Sequence, residues 1–188
     1  KEGTYERTTV PAYACAKAVV VPGGFAGTGD GSATITVDIT IGEFVFYHEL
    51  AHILHRCMNQ VGTIEMENPD TICPDILKED VWETYNPKGY VYPWEYTLYD
   101  NGGIDDRYIC QFGGNPNDWY FARSYSKVSM SEDVATLMEA ALLEQTSPTG
   151  FFESPALQNK LKYLSECIRE GFDTTGWPEK TAWELLLK

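Results

Sequence analysis

Residues 42–58 read GEFVFYHELAHILHRCM. Within this run, His48 and His52 are four positions apart. On a helix that spacing puts both on one face, about one turn apart. Two imidazoles so placed can pinch a single zinc ion between them. Glu49 lies one position round from His48, where it can reach an attacking water as general base. Coincidence on a buried helix is the bland alternative. With only 3 His in 188 residues, chance rarely sets two of them four apart around a glutamate. Phe46, Leu50, Ile53, Leu54 and Cys57 follow helical spacing as one apolar stripe, with the histidines nearly opposite. The pattern predicts a helix over 42–58 with one face in the core and the other open to a cleft. His55 shares the histidine face, but at about 1.5 Å rise per residue it lies too far along to join the same ion. It reads as a rim residue or a solvated helix-end histidine.

The length fits one domain spanning 1–188, with enough residues for a real core. Hydrophobic residues make up 43% and aromatics 13%, which argues against disorder. A net charge of −14 argues against nucleic acid or an anionic membrane as partner, since both need a basic footprint. No apolar run reaches membrane-spanning length. The chain opens on Lys1-Glu2-Gly3, without a methionine or a signal peptide, as a mature product or an excised piece would. The expectation is a secreted or cell-surface monomer. Cys15, Cys57, Cys73, Cys110 and Cys167 are widely spaced, with no C-x-x-C pair, so they do not read as a zinc site. Cys57 reads as a small buried hydrophobe, and a Cys73–Cys110 disulfide is one open pairing.

Upstream of the motif, Ala16–Val21 reads as a buried strand and Ala33–Ile39, which alternates, as a second. Glycine-rich turns separate them. Residues 59–120 carry turn signals and aromatics without strong periodicity, as a cleft wall would. Asp100, Asp105 and Asp106 around Asn101-Gly102-Gly103 make a calcium loop conceivable, although the spacing is not that of an EF-hand and a plain acidic turn explains it. A second long helix is predicted over 131–145, with Val134, Leu137, Met138, Ala141 and Leu142 as its apolar stripe and Glu132, Thr136 and Glu139 on the other side. Ser129 or Ser131 can cap it. A helix near 154–171 and a short one near 178–187 follow, with Leu157, Leu161, Leu164 and Ile168 as core residues.

A catalytic zinc takes three protein ligands and leaves a position open. The H-x-x-G-x-x-H continuation of the metzincins is missing, because Ile53-Leu54-His55-Arg56-Cys57-Met58 does not follow it. A glutamate on a second helix is the other common solution. Glu132 is the choice, with Asp133 as fallback ligand; a carboxylate that only stabilises the helix N-terminus is the alternative for Glu132. Glu139, two turns on, is either a carboxylate that holds a histidine ring or a solvated charge.

The pair His48-Glu49-Leu50-Ala51-His52 and Tyr125-Ser126-Lys127-Val128-Ser129-Met130-Ser131-Glu132-Asp133-Val134-Ala135 resembles the gluzincin metallopeptidases. It is most similar to zinc-binding metallopeptidases of gut bacteria and to the catalytic domain of anthrax lethal factor. In that group the downstream helix carries E-x-x-A-E, whose first glutamate is the third ligand, with a tyrosine seven residues earlier. Glu132 and Tyr125 match those positions, and Thr136 departs from the second glutamate. The tail through Gly176-Trp177-Pro178 and Trp183-Glu184 also looks like the bacterial group, so the resemblance spans about residues 40–188. It implies a zincin-like α+β fold: a small sheet over an active-site helix, with a mostly helical C-terminal half. It also implies a zinc metalloendopeptidase acting on peptides or proteins, with Zn2+ on His48, His52 and Glu132, Glu49 as base and the Tyr125 hydroxyl aimed at the oxyanion. Tyr125 can equally be a packing aromatic. Two other readings stand beside this one. One is a non-catalytic zincin-like domain that binds protein or glycan through its aromatic-rich middle region. The other is zinc hydrolysis of a non-peptide amide. Intact Glu49 speaks against the first, because a structural zinc site needs no base.

Overall fold

The histidine pair lies in the middle of helix α1, Glu43–Met58, within one residue of the predicted span. A computed structural model describes residues 12–16, 18–21, 24–27, 33–37, 43–58, 76–94, 104–172 and 174–188. Beyond α1 come a short helix α2, Glu79–Glu83, then α3, Met130–Leu143, and α4, Pro155–Gly171. The starts of α3 and α4 follow from local chemistry. Ser129 Oγ accepts from the Glu132 N–H at 3.3 Å, so Ser129 and not Ser131 is the cap of α3. Ser154 does the same for α4 through the Leu157 N–H at 3.2 Å, with Pro155 in the first turn, where a missing N–H costs nothing. The short helix expected near 178–187 is reduced to the 3-10 turn Glu184–Leu186. There Glu184 reaches back to accept from the Thr181 N–H at 2.6 Å, as in a capping box.

Helix α3 is the centre of the molecule. Every residue from Glu132 to Ala141 is buried. Its predicted stripe, Val134, Leu137, Met138 and Ala141, joins Leu157, Leu161, Leu164 and Ile168 of α4 and Ala51 and Met58 of α1 in one core. Trp82, Tyr92 and Phe121 close that core from the middle of the chain. A helix buried all round must bury its polar side too, and that is what brings the site together.

Two expectations are corrected. The α1 stripe is buried only in part: Ile53 is buried and Leu54 packs against the core, but Phe46 is 43% exposed, while Ala51 and Met58, outside the stripe, are in the core. Helix α1 is turned so that its histidine side lies against α3, because polar partners on α3 draw it there. The α+β fold with a small sheet over the active-site helix is not formed either. The described residues from Glu43 onward are helices and turns without a strand, apart from an isolated bridge between Ile109 and Phe121. Upstream, among the described residues, four strands of four or five residues pair two by two, β1 (Ala12–Ala16) with β4 (Ala33–Val37) and β2 (Ala18–Val21) with β3 (Gly24–Gly27). Two separate two-stranded ribbons this short do not make one sheet over α1, and the core of the described residues is drawn from the helices together with Trp82, Tyr92 and Phe121. Among the described residues, no helix is long and apolar enough to cross a membrane.

Of the turn signals, Asn86-Pro87-Lys88-Gly89 is a tight turn in which Gly89 takes φ +79°. Cys73, Asp100 and Asn101-Gly102-Gly103 lie outside the described residues, as do the Cys57 side chain and the core role expected of it. Cys110 carries a free thiol.

Candidate metal centre

The site is built where α1 crosses the first turns of α3. His48 and His52 come from the same face of α1, and Glu132 from the opening turn of α3, 84 residues on from His48. His48 Nε2 lies 3.1 Å from Glu132 Oε2 and 3.2 Å from His52 Nε2. His52 Nε2 lies 3.3 Å from the same carboxylate oxygen. Three Lewis-basic atoms therefore form a nearly equilateral triangle, and these residues can together hold a metal ion. With metal–donor distances of ~2.0–2.1 Å, a tetrahedral ion needs its ligands ~3.3–3.4 Å apart, so the observed spacing fits a zinc-sized ion with almost no adjustment.

The far side of each ring is also held. His48 Nδ1 lies 3.3 Å from Glu139 Oε2, within ion-pair distance, and Ser131 Oγ is 3.0 Å from His52 Nδ1. Partners at Nδ1 fix the ring orientations and leave both Nε2 atoms turned to the shared point. Glu139 is 2% exposed, so it holds a histidine ring and is not a solvated charge. Arg123 Nη2 stands 2.5 Å from Glu139 Oε1, close enough for charge pairing although the angle is not that of a hydrogen bond.

Without a metal, the site keeps a proton. Burial would lower the His48 pKa, but the hydrogen bonds and charges of Glu132 and Glu139 outweigh it and lift the group to about 9. Burial likewise works to raise Glu132, and its contacts with the two histidines override it, bringing the carboxyl down to about 2. A positive charge on this triangle is thus favoured by the surrounding carboxylates.

The other predicted residues fall as follows. Glu49 is buried on α1 beside His48, at 9% exposure. Tyr125 sits in a 3-10 turn, Tyr125–Lys127, with its ring centroid 6.0 Å from that of His48. Thr136, which replaces the second glutamate of the resembled motif, instead ties two parts of the site together. Its Oγ1 donates to the Glu132 carbonyl at 2.6 Å and is hydrogen-bonded to Ser126, the neighbour of Tyr125. Asp133 is not a ligand: its carboxylate takes Lys160 Nζ at 2.7 Å on the far side of α3. His55 is not a solvated helix-end residue; burial first, then the charge of His52, brings its pKa down to about 4, so it is neutral at pH 7. Asp105 is engaged by cations of the chain itself, Lys127 at 2.7 Å and Arg107 at 2.7 Å, and Asp106 is exposed, which describes an acidic turn.

Ser131 and Arg123 are the contacts the sequence did not offer. Ser131 carried a signal, as a hydroxyl one residue before the expected ligand, which suits a helix cap equally well. Arg123 carried none. Comparison with protein-family models, curated proteins and solved structures finds no match to this chain.

Proposed function

We propose that the chain is a zinc-dependent metallopeptidase of gluzincin type, hydrolysing peptide bonds. What supports this above all is the meeting of His48 Nε2, His52 Nε2 and Glu132 Oε2 at 3.1–3.3 Å, with the acid of the H-E-x-x-H motif buried beside them. Two histidines and one carboxylate also suit iron(II), but the intervening Glu49 on the same helix is the feature a hydrolytic zinc site requires. Zinc held there would lower the pKa of a water towards ~7 and polarise a substrate carbonyl. Glu49 takes the proton of the attacking water and returns it to the departing amine. Tyr125 donates its hydroxyl proton in a hydrogen bond to the oxyanion that develops. Glu139 and Ser131 keep the imidazoles from turning, so the ligand set is organised before anything binds.

The test is cleavage of a mixed peptide library by the zinc-loaded protein, read by mass spectrometry, with a chelator abolishing cleavage and zinc restoring it. Stoichiometric zinc with no cleavage of any peptide would overturn the peptidase reading and favour a binding domain.

A further inference from the structure

We propose that the buried Asp133–Lys160 pair is a positioning device for the metal centre, fixing the rotation of α3 so that Glu132 meets the two histidines. This rests on the metal-centre reading above. Asp133 and Lys160 have side chains 1% and 0% exposed. Asp133 Oδ2 accepts from three directions: Lys160 Nζ on α4 at 2.7 Å, the Tyr92 hydroxyl at 2.7 Å and Trp82 Nε1 on α2 at 2.9 Å. Lys160 is fixed in turn, donating to the Tyr120 carbonyl at 2.8 Å with its ammonium 4.2 Å from the Phe121 ring centroid.

Stability alone does not account for this arrangement. Buried ion pairs are often no more stable than apolar side chains of the same volume, because desolvation offsets the attraction. Here Asp133 Oδ1 is also buried without a hydrogen-bond partner, an added cost. What the pair supplies is direction. On the side of α3 away from the site the other buried residues are Val134, Leu137, Met138 and Ala141, whose apolar packing is not directional, while Thr136 and Glu139 make their polar contacts on the site side itself. Glu132 and Asp133 are consecutive, so they project ~100° apart around the same axis. Turning α3 by ~20° would carry a side-chain tip near the ~5–6 Å helix radius through about 2 Å. A shift of that size would break a triangle whose edges are 3.1–3.3 Å. Holding Asp133 from α2, α4 and the Tyr92 segment therefore holds Glu132.

The experiment is a zinc titration of the whole chain against a chromophoric chelator, with melting of the zinc-free protein alongside. The variants are the apolar replacement Asp133→Leu/Lys160→Met, and Tyr92→Phe, which removes one donor and no bulk. The folded double variant should bind zinc at least tenfold more weakly, and Tyr92→Phe several-fold more weakly. Glu132→Ala should cost less zinc affinity in either background than in the wild type, because the two changes act through the same ligand. If the double variant does not fold, Tyr92→Phe carried through the same cycle decides. Wild-type zinc affinity in the folded variants, with an undiminished Glu132→Ala loss, overturns the proposal. Wild-type protein that takes up no zinc overturns the metal-centre reading itself, and shows it before any variant is made.

Discussion

Zinc uptake at pH 7 should expel a proton from His48. In the metal-free protein both ring nitrogens face carboxylates, Nε2 towards Glu132 at 3.1 Å and Nδ1 towards Glu139 at 3.3 Å. Burial opposes the charge, the two carboxylates outweigh it, and the pKa stands at about 9. Two units below that value, ~99% of the rings are protonated. A metal needs the Nε2 lone pair, so the proton must leave. Glu132, at about 2, is ionised throughout and contributes none. Zinc affinity should thus rise nearly tenfold from pH 7 to 8 and about fivefold more by pH 9, roughly 50-fold in all. The sign agrees with the linkage: the raised pKa stabilises the metal-free fold fully below the unfolded value near 6.5, and that contribution is lost as pH rises through about 9. Zinc competes with it less as it fades. Calorimetric titration at pH 7 in buffers of different ionisation enthalpy counts the protons, and one per zinc from His48 is expected, plus a fraction from a metal-held water whose pKa falls towards ~7. Glu139→Gln removes one of the two carboxylates, so the count at pH 8 should drop. Full zinc binding at pH 7 with no proton released, or an affinity flat from pH 7 to 9, would refute the charge balance drawn for this site.

Other outcomes follow from the same geometry. Glu49→Gln should keep its zinc and lose peptide cleavage by ~10²–10⁴-fold, since an amide cannot take the proton; unchanged turnover would move the base elsewhere. Tyr125→Phe removes the hydroxyl of a ring whose centroid lies 6.0 Å from that of His48 and should lower kcat towards ~10²-fold with zinc content intact, and an unchanged kcat would make Tyr125 a packing residue. Away from the site, the Arg169 guanidinium holds Glu184 at about 2, helped by the Thr181 N–H. That lowered pKa contributes stability above the usual carboxylate value near 4.5 and loses it as pH falls to about 2. Glu184→Gln should therefore flatten the melting temperature against pH between 4.5 and 2; a slope equal to that of the wild type would dismiss the Arg169–Glu184 pair as a source of acid sensitivity.

The helices were legible because their apolar spacing is long and regular: α1, α3 and α4 lie within two residues of the spans read from periodicity. Glu132 was legible because a zinc site with two histidines four apart needs a third ligand, and a polar side of α3 offered one. Which side of α1 turns inward was legible only in part, since Ile53 is buried as its stripe predicts but Phe46 is not. Hydropathy counts Phe46 as a core residue and His48 as a surface one, yet the pairing of His48 with Glu132 and Glu139 across two helices reverses the order. Asp133 and Lys160 each look like solvated helix charges, because nothing in a linear pattern joins residues 27 apart into one buried pair. The expected sheet failed for a related reason. Runs such as Ala18–Val21 mark strands well, but strand preference does not say how many partners a strand will find, and among the described residues each finds one.

The central claim is that His48, His52 and Glu132 form one metal site, and its most direct test is zinc stoichiometry of the purified chain beside Glu132→Ala. The wild type should hold close to one equivalent of zinc at pH 8, and Glu132→Ala, still folded, should lose it to a competing chelator that the wild type withstands. A folded wild type that refuses zinc, or a Glu132→Ala variant that binds it as tightly, would contradict the account.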